Sequence, residues 1–442
     1  MTHSAFTLFS RRLNRITTMQ IILVSALLHF VILGIVDPVY DGPKYLPIAG
    51  ATYRHTGMEG VPQLAHTFIT TGQFSHEPGG IPVAYRMPLH YLIFGISTLW
   101  NPAMWPEIWA VMATAMFFGV LLMTRKIALM LGLSANATKI SLACYGLNPI
   151  VLWHARDLAS WLTASLIILA IGWLLLQSIQ RLRWRTSLAL GVVTGLGCLT
   201  HGSFLLLPLA LLITILILSN DRIAARFGHS ICVMVVAYCM LAPWTVRNYL
   251  TFHKLIPSTT GTGLQFWVAE YVYQHPLRLP VHTSSFHLAS QIVMDRSGQA
   301  LAYPYAGVLD LKHDAVLTQA AKEYLLQDPK RIPRHVLMGF YSFWAPLDSG
   351  WKKSLLSAIL NWPAVIFCWV GMWTLMRRKQ LASSKSIIAL LVIICYFWGV
   401  FGALQAISSY YITLLPVFYL TIATIYSKST PVSAIKSYFN KY

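Results

Sequence analysis

The chain has 442 residues, 56% of them hydrophobic and only 11% charged, against about 25% charged in a typical soluble domain. That balance excludes an ordinary soluble fold and marks an integral membrane protein. The formal net charge of +19 does not point to nucleic acid, because the basic residues fall in short clusters between apolar runs, which is how membrane topology is written.

At the N-terminus Arg11, Arg12 and Arg15 precede an apolar run with no small-residue cleavage site after it, so a retained first span is expected. About 17 to 25 apolar residues are needed to cross the hydrocarbon. Spans are accordingly expected near 17–36, 105–124, 138–153, 159–177, 186–200, 203–219, 230–243, 355–376, 386–404 and 410–426. The expected fold class is therefore an all-α integral membrane bundle of about 10 transmembrane helices, forming a single domain over 1–442 with surface helices and two large extracytoplasmic loops.

Charge tests that count. With the N-terminus cytoplasmic, the cytoplasmic segments hold Arg11, Arg12, Arg15, Arg125, Lys126, Lys139, Arg181, Arg183, Arg185, Arg222, Arg226, Arg377, Arg378, Lys379, Lys385, Lys428, Lys436 and Lys441. These are 18 of the 33 basic residues, beside one of the 14 acids, Asp221. The agreement favours an even number of spans with both ends inside. The first extracytoplasmic loop is then 37–104, and its apolar piece Pro88–Trp100 is too short to span and reads as a surface helix. The second loop region is 243–351, with helices expected around Ala315–Gln327 and Pro333–Phe343. The six Cys show no metal-ligand spacing, and neither do His55, His66, His76 and His90, so no metal and no cofactor is assigned, although a divalent metal is compatible with the chemistry.

Ionisable residues are costly in the bilayer and mark function where they occur. Asp37, Asp41, Arg156, Asp157, His201, Arg247 and the pair Tyr410-Tyr411 all fall at outer ends of the expected spans, able to face one cavity at one surface. Such a site suits transfer from a lipid-phosphate donor. A carboxylate takes the proton of an attacking hydroxyl, a contribution of about 10² to 10⁴, while Arg and His hold the departing phosphate. Residue by residue the blander readings stay open. Asp41 is the base or a loop-capping acid beside a reactive Asp37, and Asp37 itself precedes Pro38 and suits a turn. Asp157 is catalytic or pairs with Arg156, and Arg247 binds phosphate or anchors at the interface. Lys44 and Arg86 are basic residues near headgroups, where charge needs no special purpose.

At these residues the chain resembles the C-type glycosyltransferases, in the group that contains the protein O-mannosyltransferases and the lipid A aminoarabinose transferase. Asp41-Gly-Pro-Lys44-Tyr45-Leu-Pro-Ile-Ala49 is similar to that group's Asp-Glu-x-x-Tyr-x-x-x-Ala, and Arg86-Met-Pro88-Leu-His-Tyr91 to its Arg-x-Pro-x-Tyr stretch. Asn148-Pro149 followed by Arg156-Asp157 resembles the segment carrying its second acid. The run ending Thr200-His201-Gly202 resembles its Gly-Leu-x-x-Leu-Thr-Arg/Lys turn, and Pro243-Trp-Thr-Val-Arg247-Asn248-Tyr249 with Pro257–Gly261 matches most closely. Glu323-Tyr324 to Asp328-Pro329 and Phe343-Trp344 fit the lead-in to the eighth span. Gly42 stands where many relatives have Glu, His201 replaces a basic residue, and Ser409-Tyr410-Tyr411 replaces an Arg-Tyr pair.

The resemblance implies inverting transfer of a sugar from a polyprenyl-phosphate donor to a hydroxyl of a glycan, lipid or protein acceptor. Asp41 takes the base position and Asp157 that of the second acid. Donor or phosphate contacts are expected from Arg247, His201, Arg86, Lys44, Arg156, Tyr45, Tyr410 and Tyr411. A bacterial inner membrane and a periplasmic active site follow. Partners are then the donor lipid, the acceptor and membrane lipids, with no nucleic acid. Two alternatives remain: a lipid-pyrophosphate-dependent glycan ligase or polymerase, and a lipid or solute transporter. Transporters collect charges near the midplane and show internal repeats; here the charges gather at one surface.

Overall fold

The structure is a computed structural model that describes residues 16–36, 61–99, 104–154, 158, 160–276, 281–298, 311–347, 350–380, 384–404 and 408–429. Among these the regular elements are all helical. The chain begins with α1 (Thr18–Val31), whose Thr17 and Gln20 form a reciprocal capping box, followed by a π-helical turn over Ile32–Val36. Then come α2 (Val61–Thr71), α3 (Pro88–Ile96), α4 (Trp105–Met130), α5 (Ala135–Gly146) and α6 (Pro149–His154). The next group is α7 (Trp161–Gln180), α8 (Trp184–Thr200), a 3-10 turn at Gly202–Phe204, α9 (Leu207–Leu218) and α10 (Ile223–Phe252). A cap layer follows, α11 (Thr262–Gln274), α12 (Val281–Ser297), α13 (Leu311–Gln327) and α14 (Arg331–Trp344), before α15 (Gly350–Arg377), α16 (Lys385–Leu404) and α17 (Ser408–Ser429).

Six helices among the described residues are long and apolar enough to cross a membrane: Trp105–Met130, Trp161–Gln180, Ile223–Phe252, Ser354–Arg377, Lys385–Ala403 and Tyr410–Ser427. The expected spans at 17–36 and 203–219 coincide with shorter apolar helices. The one expected at 186–200 is the 17-residue α8. The expected span 138–153 is two helices instead. Pro149 lacks an N–H and pushes Asn148 out of helical geometry, and the Asn148 Oδ1 accepts from the Ile150 amide at 2.9 Å to start α6. Within the piece 88–100, expected as a surface helix, a helix is present over Pro88–Ile96 as α3, with Pro88 in its first turn and Pro88, His90, Tyr91, Phe94 and Gly95 buried.

In α7, 78% of the apolar window is buried, against 28% in α15, so α7 is the axis and α15 lies at the rim. Around α7 pack α4, α8, α16 and α17. The tightest seam joins α8 to α10. There a Cβ on Gly191 would stand 2.8 Å from the Val236 Cβ, and one on Gly195 would stand 2.5 Å from that of Met240. Lipid tails supply no hydrophobic drive between helices, so close approach through small residues four apart holds the pair.

At one end Asp221 accepts from the Leu182 amide at 3.2 Å and the Ser219 hydroxyl at 3.1 Å, while the Lys385 Nζ bonds the Asn220 Oδ1. Three of the basic segments are thereby gathered at the same end. The opposite end carries α2, α3 and the cap layer. Where α14 docks on α16, Gly339 faces the Gly402 carbonyl with no room for a side chain.

Candidate active site

The cap end of the bundle is organised by the segment Pro243–Asn248, which lies inside α10. Trp244 Nε1 donates to the Ser258 carbonyl at 3.3 Å, the Thr245 hydroxyl to the Pro257 carbonyl at 3.1 Å, and Asn248 Nδ2 to the Ile256 carbonyl at 3.1 Å. The helix ends at His253 in the left-handed region, φ 52°, so the chain turns back over its own last turns. The Thr260 amide then bonds the Ala84 carbonyl at 3.1 Å, joining this return loop to the segment before α3. The run that sequence singles out as a motif is thus a set of carbonyl clamps.

Arg247 is half-buried, and its Nη1 donates to the Val83 carbonyl at 2.9 Å and to the Asn248 Oδ1 at 3.0 Å. Its Nη2 reaches the Phe74 carbonyl at 3.4 Å. The guanidinium also lies 4.9 Å from the Trp244 ring and 5.8 Å from that of Phe74. Of five N–H groups, three are engaged. Among the described residues the Nε–H and the second Nη2–H have no acceptor. They are charged N–H donors, of the kind that suits an oxyanion. Arg247 lines a cavity of about 410 Å³ together with Gly72, Gln73, Ser75, Gly80 and Thr251.

Arg86 follows directly on the clamped Val83 and Ala84. It is half-buried and close enough to His90, Tyr91 and His201 to act on their protonation. His201 caps the turn between α8 and the 3-10 helix, where its Nδ1 accepts from the Ser203 amide at 3.2 Å. That bond leaves the proton on Nε2. Burial, and after it the Arg86 guanidinium, pull the His201 pKa down to about 4, so at neutral pH the ring is an uncharged donor. Tyr410 sits with its ring centroid 5.3 Å from His201 and stacks on Phe401 at 4.3 Å. His201 and Tyr410 are therefore neighbours, and the Arg86 charge is felt at His201. Tyr411 lies elsewhere, fully buried beside Trp344 with its hydroxyl 3.3 Å from the Ser357 Oγ.

Sequence reasoning missed the part played by His90, which it weighed only as a metal ligand. Its Nε2 donates to the Leu158 carbonyl at 2.7 Å, and its Nδ1 lies 3.3 Å from the Thr163 hydroxyl. Burial holds its pKa near 4; Arg86 adds to the lowering and the Leu158 bond opposes it. On the other flank the Trp161 Nε1 bonds the His154 carbonyl at 3.0 Å. His154 and Leu158 are thus each held through their carbonyls by a side chain of another segment. The available signal was a histidine in the first turn of α3, four residues after Arg86. Asp37, Asp41, Lys44, Tyr45, Arg156 and Asp157 lie outside the described residues. Among the described residues no group of three His, Cys, Asp or Glu side chains is placed to hold a metal.

No family model and no curated protein matches the chain significantly. Solved structures do. The oligosaccharyltransferase AglB of Archaeoglobus fulgidus, in complex with an inhibitory peptide and a dolichol-phosphate, superposes at a TM-score of 0.52 with 15% identity over 92% of this chain. The same enzyme in its apo form gives 0.53 at 14% identity over 92%. The chain has the C-type glycosyltransferase fold. It spans about half the length of AglB, 50% in both comparisons. ArnT of Cupriavidus metallidurans bound to undecaprenyl phosphate is a looser likeness, at a TM-score of 0.37 and 16% identity over 87% of this chain and 76% of that one. Within the C-type fold, the clamped loops and the basic residues occupy the cap end of the bundle.

Proposed function

We propose that the protein transfers a sugar from a polyprenyl-phosphate donor to a hydroxyl on the extracytoplasmic side of a bacterial inner membrane. The observation that carries this reading is Arg247. Three acceptors hold its guanidinium in place while the residue lines a cavity of about 410 Å³. A fixed, half-buried guanidinium lining a cavity can serve as a preorganised oxyanion site, and charge develops on the leaving phosphate in the transition state. The fold likeness to an oligosaccharyltransferase that was solved with a dolichol-phosphate supports a lipid-linked donor.

In this reading Asp41 takes the proton from the acceptor hydroxyl as it attacks the anomeric carbon, the carbon–oxygen bond to phosphate breaks, and the configuration inverts. Asp157 and Asp37 supply the second acid. Arg247 takes the phosphate with Arg86, and His201 adds one neutral hydrogen bond from Nε2. Lys44, Tyr45, Arg156 and Tyr410 complete the donor contacts. Arg247 and Arg86 as separate cations also favour a second reading, transfer of a glycan from a lipid pyrophosphate.

The experiment is turnover of the purified protein with a polyprenyl-phosphate sugar. Asp41→Asn is expected to lower the rate about 10²-fold or more without changing lipid binding; a fully active variant sinks the assignment. The mass of the copurifying lipid separates phosphate from pyrophosphate.

A further inference from the structure

The cap layer holds a second cavity, of about 260 Å³, between α11, α12 and α13. Its floor is apolar: Trp267, Ile292 and Ala320. Tyr324 forms one wall and cannot swing away. Its hydroxyl donates to the Glu270 Oε1 at 2.7 Å, and the Arg331 guanidinium covers its ring at 3.9 Å. The Trp267 indole is fixed as well, with Nε1 bonded to the Leu317 carbonyl at 3.0 Å. The rim is polar and exposed, formed by Asp295, Arg296 and Gln327. Arg296 is steadied by Glu323 at 2.7 Å. Among the described residues the Asp295 carboxylate and the Gln327 amide have no hydrogen-bond partner.

We infer that this cavity binds one pyranose ring of a saccharide acceptor. A pyranose presents C–H faces ringed by hydroxyls. The aromatic floor and wall match the first, since a ring's negative π-face attracts polarised C–H groups. The unpaired carboxylate and amide match the second, accepting from and donating to vicinal hydroxyls. The volume lies below the about 300–1,000 Å³ of drug-sized pockets, which limits the occupant to a single ring. Because Tyr324 and Trp267 are locked before any ligand arrives, little ordering cost opposes binding. The site stands apart from the Arg86–His201 centre, and α11 starts directly after the loop 256–261 that borders that centre. The assignment of the sugar as acceptor rests on the transfer reading above; the binding site itself does not.

The test is saturation-transfer NMR on the detergent-purified full chain with a panel of methyl pyranosides and no donor. At least one glycoside is expected to bind saturably. Asp295→Ala and Gln327→Ala each remove one rim hydrogen bond and should weaken binding about five-fold, and Gln327→Trp should fill the cavity and abolish it. Both positions are exposed, and an unchanged melting temperature checks folding. Absence of saturable binding by every glycoside overturns the inference, as does equal affinity in wild type and all three variants. The Asp41→Asn protein should bind the glycoside normally. Loss of glycoside binding therefore leaves the transfer reading standing, and a fully active Asp41→Asn protein leaves this site standing.

Discussion

Along the seam between α8 and α10 the touching positions are Gly191 and Gly195, with backbone set against Val236 and Met240. In the cap layer the helices α11, α13 and α14 meet instead on a carboxylate. Glu270 accepts from His335 Nδ1 at 3.0 Å, Tyr324 Oη at 2.7 Å and Gln274 Nε2 at 3.0 Å. The difference follows the solvent of each region. Between apolar helices in lipid, only close packing and backbone approach distinguish a partner helix from a lipid tail. In the cap, water competes for every polar group, so a buried carboxylate that takes three donors can specify which helices meet and at what register.

This contrast can be broken from the seam outward. Gly195→Leu should cost more than about 3 kcal/mol, because the new side chain meets the Met240 Cβ and the Ala237 carbonyl, which are fixed to the α10 backbone. Little folded protein should survive extraction, whereas Gly399→Ala, with open space around it, should melt as wild type does. Survival of the Gly195 variant would remove the seam's claim to be tight.

Next in size is Glu270→Ala, which leaves the buried His335 and the half-buried Tyr324 without their acceptor. Loss of one partner of a buried pair costs about 3 kcal/mol. Hydrogen exchange should rise in α11, α13 and α14 and stay unchanged in α7 and α8; uniform loosening would mean that the two regions form one cooperative unit.

Acid provides a gentler version of the same cut. Burial alone would raise the Glu270 pKa, but the hydrogen bonds from His335, Tyr324 and Gln274 outweigh it and hold the carboxyl at about 2. A folded pKa below the unfolded value near 4.5 contributes stability above pH 4.5, lost as pH falls toward 2. Exchange protection in the cap should fade across that window, and the Glu270→Gln protein should lack this component. The smallest effect is expected from Arg296→Ala. Its bond to Glu323 joins two exposed side chains, and such pairs add little, so melting should not shift measurably.

Much of the helical plan was legible because period and length are local properties. Six expected spans return as long apolar helices, and the helices expected at 315–327 and 333–343 appear as α13 and α14. The helices α2, α11 and α12 were not anticipated, since short half-polar segments lack an unbroken apolar run to announce them. In α10 the run expected to end at Pro243 continues to Phe252. Trp244, Thr245 and Asn248 bind the returning loop there, and tertiary contacts offset the bond that Pro243 removes.

For the candidate site, sequence selected Arg247, His201, Arg86 and Tyr410, and the structure places all four at the cap end. It could not tell that Arg247 spends part of its donor capacity on Val83 and Phe74, nor that His201 is neutral. Both are properties of neighbours far away in the chain.

Composition, apolar run length and charge asymmetry by themselves made this chain a helical membrane protein with polar chemistry gathered at one surface, because partition into lipid depends on each segment alone. Only the folded bundle decided which donors remain open. Burial and hydrogen bonding depend on what packs across from a residue, and here Val83, Phe74 and Asn248 take part of the donor capacity of an Arg247 that lines a cavity.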